Sequence, residues 1–324
     1  MSKALKILSR PKGNAEEYGR WSVNPYIGCS HGCLYCYLKK GPSGKYLGQD
    51  HPVLKKGVLS PSHAYHLAMA EIIEHKDEII RDGGLFFTFT SDPCLPETRR
   101  LVFRITGACI GNRATPREDV IPVTLLTKDA TFCAWEYPTE DSQGAMIPPF
   151  DWMSNIGMFD PEILRDRLAI GWTLTDHDEL EPHASKNAER LLVMKNLSNK
   201  GYLTWASIEP VIDFDSSFRM IQQALDAGCQ HFKIGLMTEH TKVCRRGFTL
   251  GGKTFEPYDP ASCLAFVQDV MQQTRDRATV YWKQSFRDFI GGTGKHRLFS
   301  DDELHKIFDD YPNAVGKDWS MFSK

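Results

Sequence analysis

The chain has 324 residues, of which 41% are hydrophobic and 25% charged, and its formal net charge is −2. This is ordinary globular composition, and the length suffices to bury a core without disulfide or metal staples. It excludes a membrane span, because no apolar run reaches the length a bilayer needs, and it excludes a global basic field for nucleic acid. The opening stretch MSKALKILSRPKGN has basic residues but no apolar stretch, so no signal peptide is expected and the cytoplasm is the expected compartment.

Strand-like and helix-like segments alternate along the chain. The first strand candidate, Trp21 to Ile27, runs into a loop with three cysteines. Ser62 can cap a helix with the apolar stripe Tyr65, Ala68, Met69, Ile72 and Ile73, which ends at Gly83–Gly84. Leu85 to Thr90 is a short β-rich run that suits a buried parallel strand, and the next helix carries Leu101, Val102, Ile105 and Ala108. Ile121 to Leu126 is the next strand, and residues 130–160 are irregular enough to be an insertion or lid.

Leu168 to Leu174 follows as a strand, then a helix from Ser185 to Asn199 with Leu191, Leu192 and Leu197 facing in. Tyr202 to Ile208 is a strand, and Ser216 caps a helix stopped by Gly228. His231 to Met237, a helix over Ala261 to Thr274 and a last strand over Ala278 to Lys283 complete the pattern. This alternation predicts parallel βαβ units, and the expected fold is a partial (βα)6-type barrel with helices outside. The expected division is an extension at 1–20, a core at 21–290 and a polar tail at 291–324.

In such folds the site lies at the C-terminal ends of the strands. That rule selects the cysteine loop, Thr90-Ser91-Asp92, Thr127-Lys128-Asp129, Thr173 to Asp176, Ser207-Ile208-Glu209-Pro210 and Gly235-Leu236-Met237. Polar groups therefore gather at one rim beside the thiols.

The nine cysteines are an odd count with no secretion signal, which favours free thiols and metal ligation over a disulfide framework. Cys94, Cys109, Cys133, Cys229, Cys244 and Cys263 are scattered and suit buried positions, whereas Cys29, Cys33 and Cys36 are crowded in a C-x3-C-x2-C spacing. Closely spaced thiolates on one loop can reach three corners of a cubane, and Gly28 and Gly32 let the backbone turn around it. A fourth iron would then lack a protein thiolate, and an open metal position is where substrate or cosubstrate binds. Cys29, His31, Cys33 and Cys36 also suit a Cys3His zinc site.

The spacing, with Tyr35 before the last cysteine, resembles the radical S-adenosylmethionine (SAM) signature. The strings NPYIGCSHGCLYCYL, TFTSDPCLPET and LEPHASKNAERL are similar to the spore photoproduct lyase-like branch, and SIEPVID and WKQ resemble three-cysteine proteins commonly encoded by phages. The resemblance covers residues 20–240 and implies a 4Fe–4S cluster on Cys29, Cys33 and Cys36 that chelates SAM. It further implies reductive cleavage of SAM to a 5′-deoxyadenosyl radical that takes hydrogen from the substrate, with flavodoxin or ferredoxin as the type of electron donor.

By the same resemblance Tyr35 borders the adenine, and Thr90, Ser91 and Asp92 stand where the family contacts the methionine amino group. Thr173 and Thr175 suit the ribose, Arg190 the methionine carboxylate, and Glu209 a role at the cofactor rim. Cys94 is the candidate for returning a hydrogen atom to the product radical, as a cysteine does in spore photoproduct lyase. The substrate reading is a nucleic acid or nucleotide, held by the basic groups at Lys39 to Lys56 and Lys242 to Lys253. A different class of function, a metal-bearing binding protein without catalysis in a phage or host regulatory role, also fits the motif.

Overall fold

In a computed structural model the described residues are 5–112, 114–134, 160–237, 247–292 and 294–322. Most of the expected insertion, and the basic residues Lys242, Arg245 and Arg246, lie outside them.

The strands in chain order are β1 (Leu8–Ser9), β2 (Ser22–Val23), β3 (Tyr26–Ile27), β4 (Val53–Leu54), β5 (Leu85–Phe87) and β6 (Val123–Thr127). Then come β7 (Leu168–Thr173), β8 (Leu203–Val211), β9 (His231–Leu236), β10 (Phe248–Leu250), β11 (Lys253–Phe255) and β12 (Thr279–Trp282). The helices are α1 (Gly44–Leu47), α2 (Pro61–Glu74), α3 (Lys76–Arg81), α4 (Arg99–Ile110) and α5 (Pro161–Arg167). They continue with α6 (Asn187–Asn199), α7 (Phe214–Asp226), α8 (Pro260–Thr274), α9 (Gln284–Gly291) and α10 (Asp301–Phe308).

Among the described residues one eight-stranded sheet has the order β1-β2-β5-β6-β7-β8-β9-β12. β1 is antiparallel to β2, and every later neighbour pair is parallel. The sheet is thus the expected parallel βα architecture, consistent with a partial barrel, widened by β12 and by an antiparallel edge the sequence did not suggest. β7 reads Leu-Ala-Ile-Gly-Trp-Thr and is buried at every position, as a parallel strand covered on both faces should be. Gly171 has a packing reason: a Cβ there would stand 2.2 Å from the Trp205 indole on β8. No helix among the described residues is long and apolar enough to cross a membrane.

Local chemistry corrects several details of the expected elements. Pro25 interrupts the stretch from Trp21 to Ile27, so β2 stays in the main sheet while β3 pairs with β4 and carries the chain outward to the cysteines. The first long helix is capped by Ser60, whose Oγ accepts from His63 N–H, with Pro61 at the first helical position. Asp213, not Ser216, caps α7; its carboxylate accepts from Ser216 N–H at 2.7 Å. Leu192 is 60% exposed because the inward face of α6 falls on Arg190, Leu191, Met194 and Leu197. Ile73 and Ala108 likewise face out, and Cys109 takes the inward place beside Ile105.

The segment ahead of β2 and the described tail after α10 both pack on the sheet. Glu17 Oε1 accepts from Tyr281 O–H at 2.9 Å and from Gln284 N–H at 2.7 Å. Ala314 bridges Val280 in parallel, and Met321 and Phe322 pack against the cluster of Phe86, Ala169 and Trp205.

Candidate active site

The cysteine loop leaves β3 at Gly28, whose φ of +85° and whose lack of a Cβ are both required: a methyl would stand 2.4 Å from the His51 carbonyl. Asn24, at the end of β2, accepts from Thr88 O–H (2.9 Å) and Phe89 N–H (2.7 Å), which ties the exits of β2 and β5 together. The segment after β7 then clasps the loop from the other side: Leu34 N–H donates to Leu180 O and His183 N–H to His31 O.

Asp92, past the end of β5, is the hub beneath the loop. Its Oδ1 accepts from Thr127 O–H (2.6 Å) and Cys94 N–H (2.9 Å), and its Oδ2 from Lys128 N–H (2.9 Å) and His31 Nε2 (3.0 Å). Burial pushes this carboxyl up, but His31, Thr127 and the amide donors outweigh it and hold it below the usual carboxylate range. His31 Nδ1 faces the His183 carbonyl at 3.4 Å, so both ring nitrogens are engaged and neither is left for a metal.

Above this platform lies a cavity of about 430 Å3. Cys29, Cys33 and Cys36 line it together with Tyr35, Ser91, Asp92, Thr173 and Glu209 of the expected site residues. The other four expected residues are elsewhere. Thr90 Oγ1 donates to the Tyr26 carbonyl at 2.5 Å, and Thr175 is fully buried within the turn that receives His177 N–H. Cys94 is fully buried in the main core. Arg190 is fully buried and spends its guanidinium on Thr173 O (2.8 Å) and Glu181 Oε2 (2.6 Å), a carboxylate that also accepts from Tyr35 O–H.

The cavity wall joins residues that the strand-end rule selected, among them Ser91, Lys128, Ser207 and Glu209, to Tyr18 and Lys283, which it did not name. Lys128 extends over the Tyr35 ring, its Nζ 5.5 Å from the centroid, and makes no ion pair within 4 Å among the described residues. Ser91 Oγ is buried and has no hydrogen-bond partner among the described residues. At the far end of the cavity Glu209 Oε2 accepts from Lys283 Nζ (2.6 Å) and from Tyr18 O–H, and Tyr18 also pairs with Ser207 Oγ (2.8 Å). Beneath them the half-buried Lys233 donates to Glu17 O at 2.6 Å; burial and the nearby Lys283 charge pull its ammonium down to about 7.

Gly235 makes room for the Glu209–Lys283 pair, since a Cβ would lie 2.9 Å from both Glu209 Oε1 and Lys283 Cδ. Gly235→Ala is therefore expected to cost about 1–3 kcal/mol of stability through overpacking. A lower urea midpoint with an unchanged m-value would show it, and an unaltered midpoint would contradict it.

The three thiols suit an iron–sulfur cluster. Burial pushes Cys29 well up and Cys33 to about 11, with Lys128 pulling the latter back, so thiolates at this loop call for a strong cation. Among the described residues no three His, Cys, Asp or Glu side chains converge on one metal ion. A cubane takes each thiolate on a different iron and needs no such convergence.

No family model and no curated protein matches this chain. Among solved structures, spore photoproduct lyase complexed with dinucleoside spore photoproduct superposes with a TM-score of 0.56 at 14% identity, covering 87% of this chain and 81% of that one. A mutant of the same lyase gives 0.57 with the same identity and coverage. Streptococcus suis SuiB bound to S-adenosylmethionine aligns with a TM-score of 0.46 at 12% identity over 81% of this chain and 49% of that one. The expected likeness to the lyase is thus met at the level of architecture: the chain has the fold of spore photoproduct lyase.

Proposed function

We propose that the protein is a radical SAM enzyme in which Cys29, Cys33 and Cys36 hold a 4Fe–4S cluster and SAM occupies the cavity beside it. One observation carries the reading. Three thiols of one loop face a cavity at the C-terminal ends of a parallel sheet, and its wall offers an ammonium, Lys128, without an ion pair, and a buried hydroxyl, Ser91 Oγ, without a hydrogen-bond partner, among the described residues. The chemistry supplied by cluster and SAM when bound is reductive cleavage of the S–C5′ bond and, from it, abstraction of a hydrogen atom from the substrate.

The chain's own residues bind and orient. Lys128 serves the methionine carboxylate, the role that the resemblance implied for Arg190, whose charge is already met by Glu181. Ser91 Oγ gains a partner from the methionine head group, and Thr173 and Glu209 face the nucleoside part from the ends of β7 and β8. Arg190 and Glu181 fix Tyr35 from behind by the hydrogen bonds described above. Phe86, Phe89, Leu126 and Met237 line the cavity as apolar wall and exclude water.

The substrate is a nucleobase of a nucleotide or nucleic acid. Phe86 and Phe89 stack with centroids 4.6 Å apart beside Tyr18, which gives the cavity an aromatic side on which a base can lie. Spore photoproduct lyase, of like fold, is known with a dinucleoside photoproduct bound. Of the basic groups named from the sequence, Lys39 is paired with Asp50 at 2.6 Å, Lys253 stands 3.3 Å from Glu179, and Lys40 and Lys55 are half-buried, which leaves the exposed Lys45 and Lys56 for phosphate contacts. A flavodoxin- or ferredoxin-type protein serves as electron donor.

The test is anaerobic reconstitution with iron and sulfide, reduction, and assay for 5′-deoxyadenosine from SAM; no product from a fully iron-loaded protein sinks the reading. Lys128→Met should then raise the KM for SAM about tenfold to a hundredfold, the worth of one hydrogen bond to a charged group, with iron content unchanged. An unaltered KM would remove Lys128 from the SAM site.

A further inference from the structure

The face opposite the cysteine loop carries a second cavity, of about 260 Å3. Its wall is built where the chain enters four adjacent strands, and each segment brings an arginine: Arg20 ahead of β2, Arg81 ahead of β5, Arg117 ahead of β6 and Arg167 ahead of β7. Asp318, Ser320 and Phe322 of the tail close it.

Like charges gathered from four separate segments repel unless anions intervene. Three of the arginines have such partners: Arg20 pairs with Asp318, Arg117 with Asp166, and Arg81 stands 3.7 Å from Asp82. Asp82 is itself shared, lying 3.2 Å from Arg10 and 3.9 Å from Arg20. Arg167 has no ion pair or hydrogen bond among the described residues, and its Nε is buried without an acceptor. Leaving a charged donor buried and unmet is costly, and the planar fork of a guanidinium matches the oxygens of a phosphate.

We propose that this cavity binds the phosphate group of a small phosphorylated molecule, a phosphate monoester or diphosphate, with Arg167 as the principal fork and Arg20, Arg81 and Arg117 around it. The cavity is too small for a nucleic-acid duplex and lies away from the thiols, so the site is separate from the SAM cavity. Phosphate held there would bridge the tail to the starts of β5, β6 and β7, and so stabilise the closed face.

The experiment uses the full chain, with inorganic phosphate, pyrophosphate and a nucleoside 5′-monophosphate as probes, titrated at constant ionic strength against thermal unfolding and by calorimetry. A saturable rise in Tm at millimolar probe is expected for the wild type, since a ligand that binds only the folded state stabilises it. Arg167→Met, which keeps the side-chain stem, should weaken binding at least tenfold. Arg167→Lys, which keeps the charge but not the fork, should bind with intermediate strength. Lys128→Met, on the opposite face, should bind like the wild type. The proposal fails if no probe gives a saturable shift, if the shift survives Arg167→Met, or if Lys128→Met abolishes it.

Discussion

Alanine at any one of Cys29, Cys33 or Cys36 is expected to abolish 5′-deoxyadenosine formation and to leave the reconstituted protein well short of the about four irons per chain that a cubane requires. The fold should survive. The three residues lie on a loop at the strand ends, and the main core of Ile170, Trp172, Ile208, Phe232 and their neighbours forms without them. Circular dichroism of the metal-free variants should therefore match that of the metal-free wild type, and so should the urea midpoints of the Cys29 and Cys36 variants, whereas alanine at the buried Cys33 should lower the midpoint by the equivalent of about 1 kcal/mol.

The buried cysteines make the control. Cys109 on α4, Cys229 ahead of β9 and Cys263 on α8 are each almost fully buried in the main core. Alanine there removes packed sulfur and should cost about 1 kcal/mol or somewhat more, with iron content and turnover unaffected. His31→Gln separates the cluster from the zinc alternative. Engaged by Asp92 and the His183 carbonyl, His31 should be dispensable as a ligand, so the variant should still load iron. A stoichiometric zinc site lost on the His31 change, with no capacity for iron, would overturn the assignment.

What the sequence made legible follows from what is local. The run at β7 is apolar and buried throughout, and β6, β8 and β9 are β-rich and mostly buried, which announces parallel strands because a strand covered on both faces needs such composition. The cysteine spacing and its glycines are equally local, and Gly28 meets a backbone carbonyl just as a tight loop demands. Position on the strand-end rim was therefore readable, and five of the nine non-ligand candidates line the cavity.

Direction and pairing were not readable, because they depend on partners far away in the chain. Arg190 and Lys128 were both cations near the rim; only their surroundings show that Glu181 neutralises the first and that the second, over the Tyr35 ring, has no ion pair among the described residues. Tyr18 enters the cavity wall through partners 189 and 191 residues away, Ser207 and Glu209, and no pattern near Tyr18 forecasts that. Lys283 had a signal, the quoted WKQ segment, but a role for it appears only once β12 is set beside β9 and Glu209 is within 2.6 Å. Asp92 is the subtlest case. It stands where expected, yet its oxygens turn toward the loop's support and not into open space.

That placement sets the second large effect. Asp92→Ala would strip acceptors from Thr127 O–H, His31, and the Cys94 and Lys128 amides at once, all of them buried or nearly so. The cost should be about 3–5 kcal/mol, the range for breaking a buried charged contact by deleting one partner, and not the sum of four separate bonds. His31 lies between Cys29 and Cys33, so a freed imidazole should also loosen the loop and lower iron occupancy, an effect that SAM affinity alone would not reveal. Asp92→Asn keeps the shape and one acceptor oxygen but turns an amide toward donors, and should fall between wild type and alanine. The pH dependence identifies the charge. The folded carboxyl titrates below its unfolded value of about 3.9, so its contribution is fully present above that pH and disappears as pH falls through the folded value. Urea unfolding of metal-free protein from neutral pH downward should thus show the gap between wild type and Asp92→Asn narrowing only in acid. A gap that stays constant through that range, or an alanine variant with full stability and full iron, would show that Asp92 does not hold the loop.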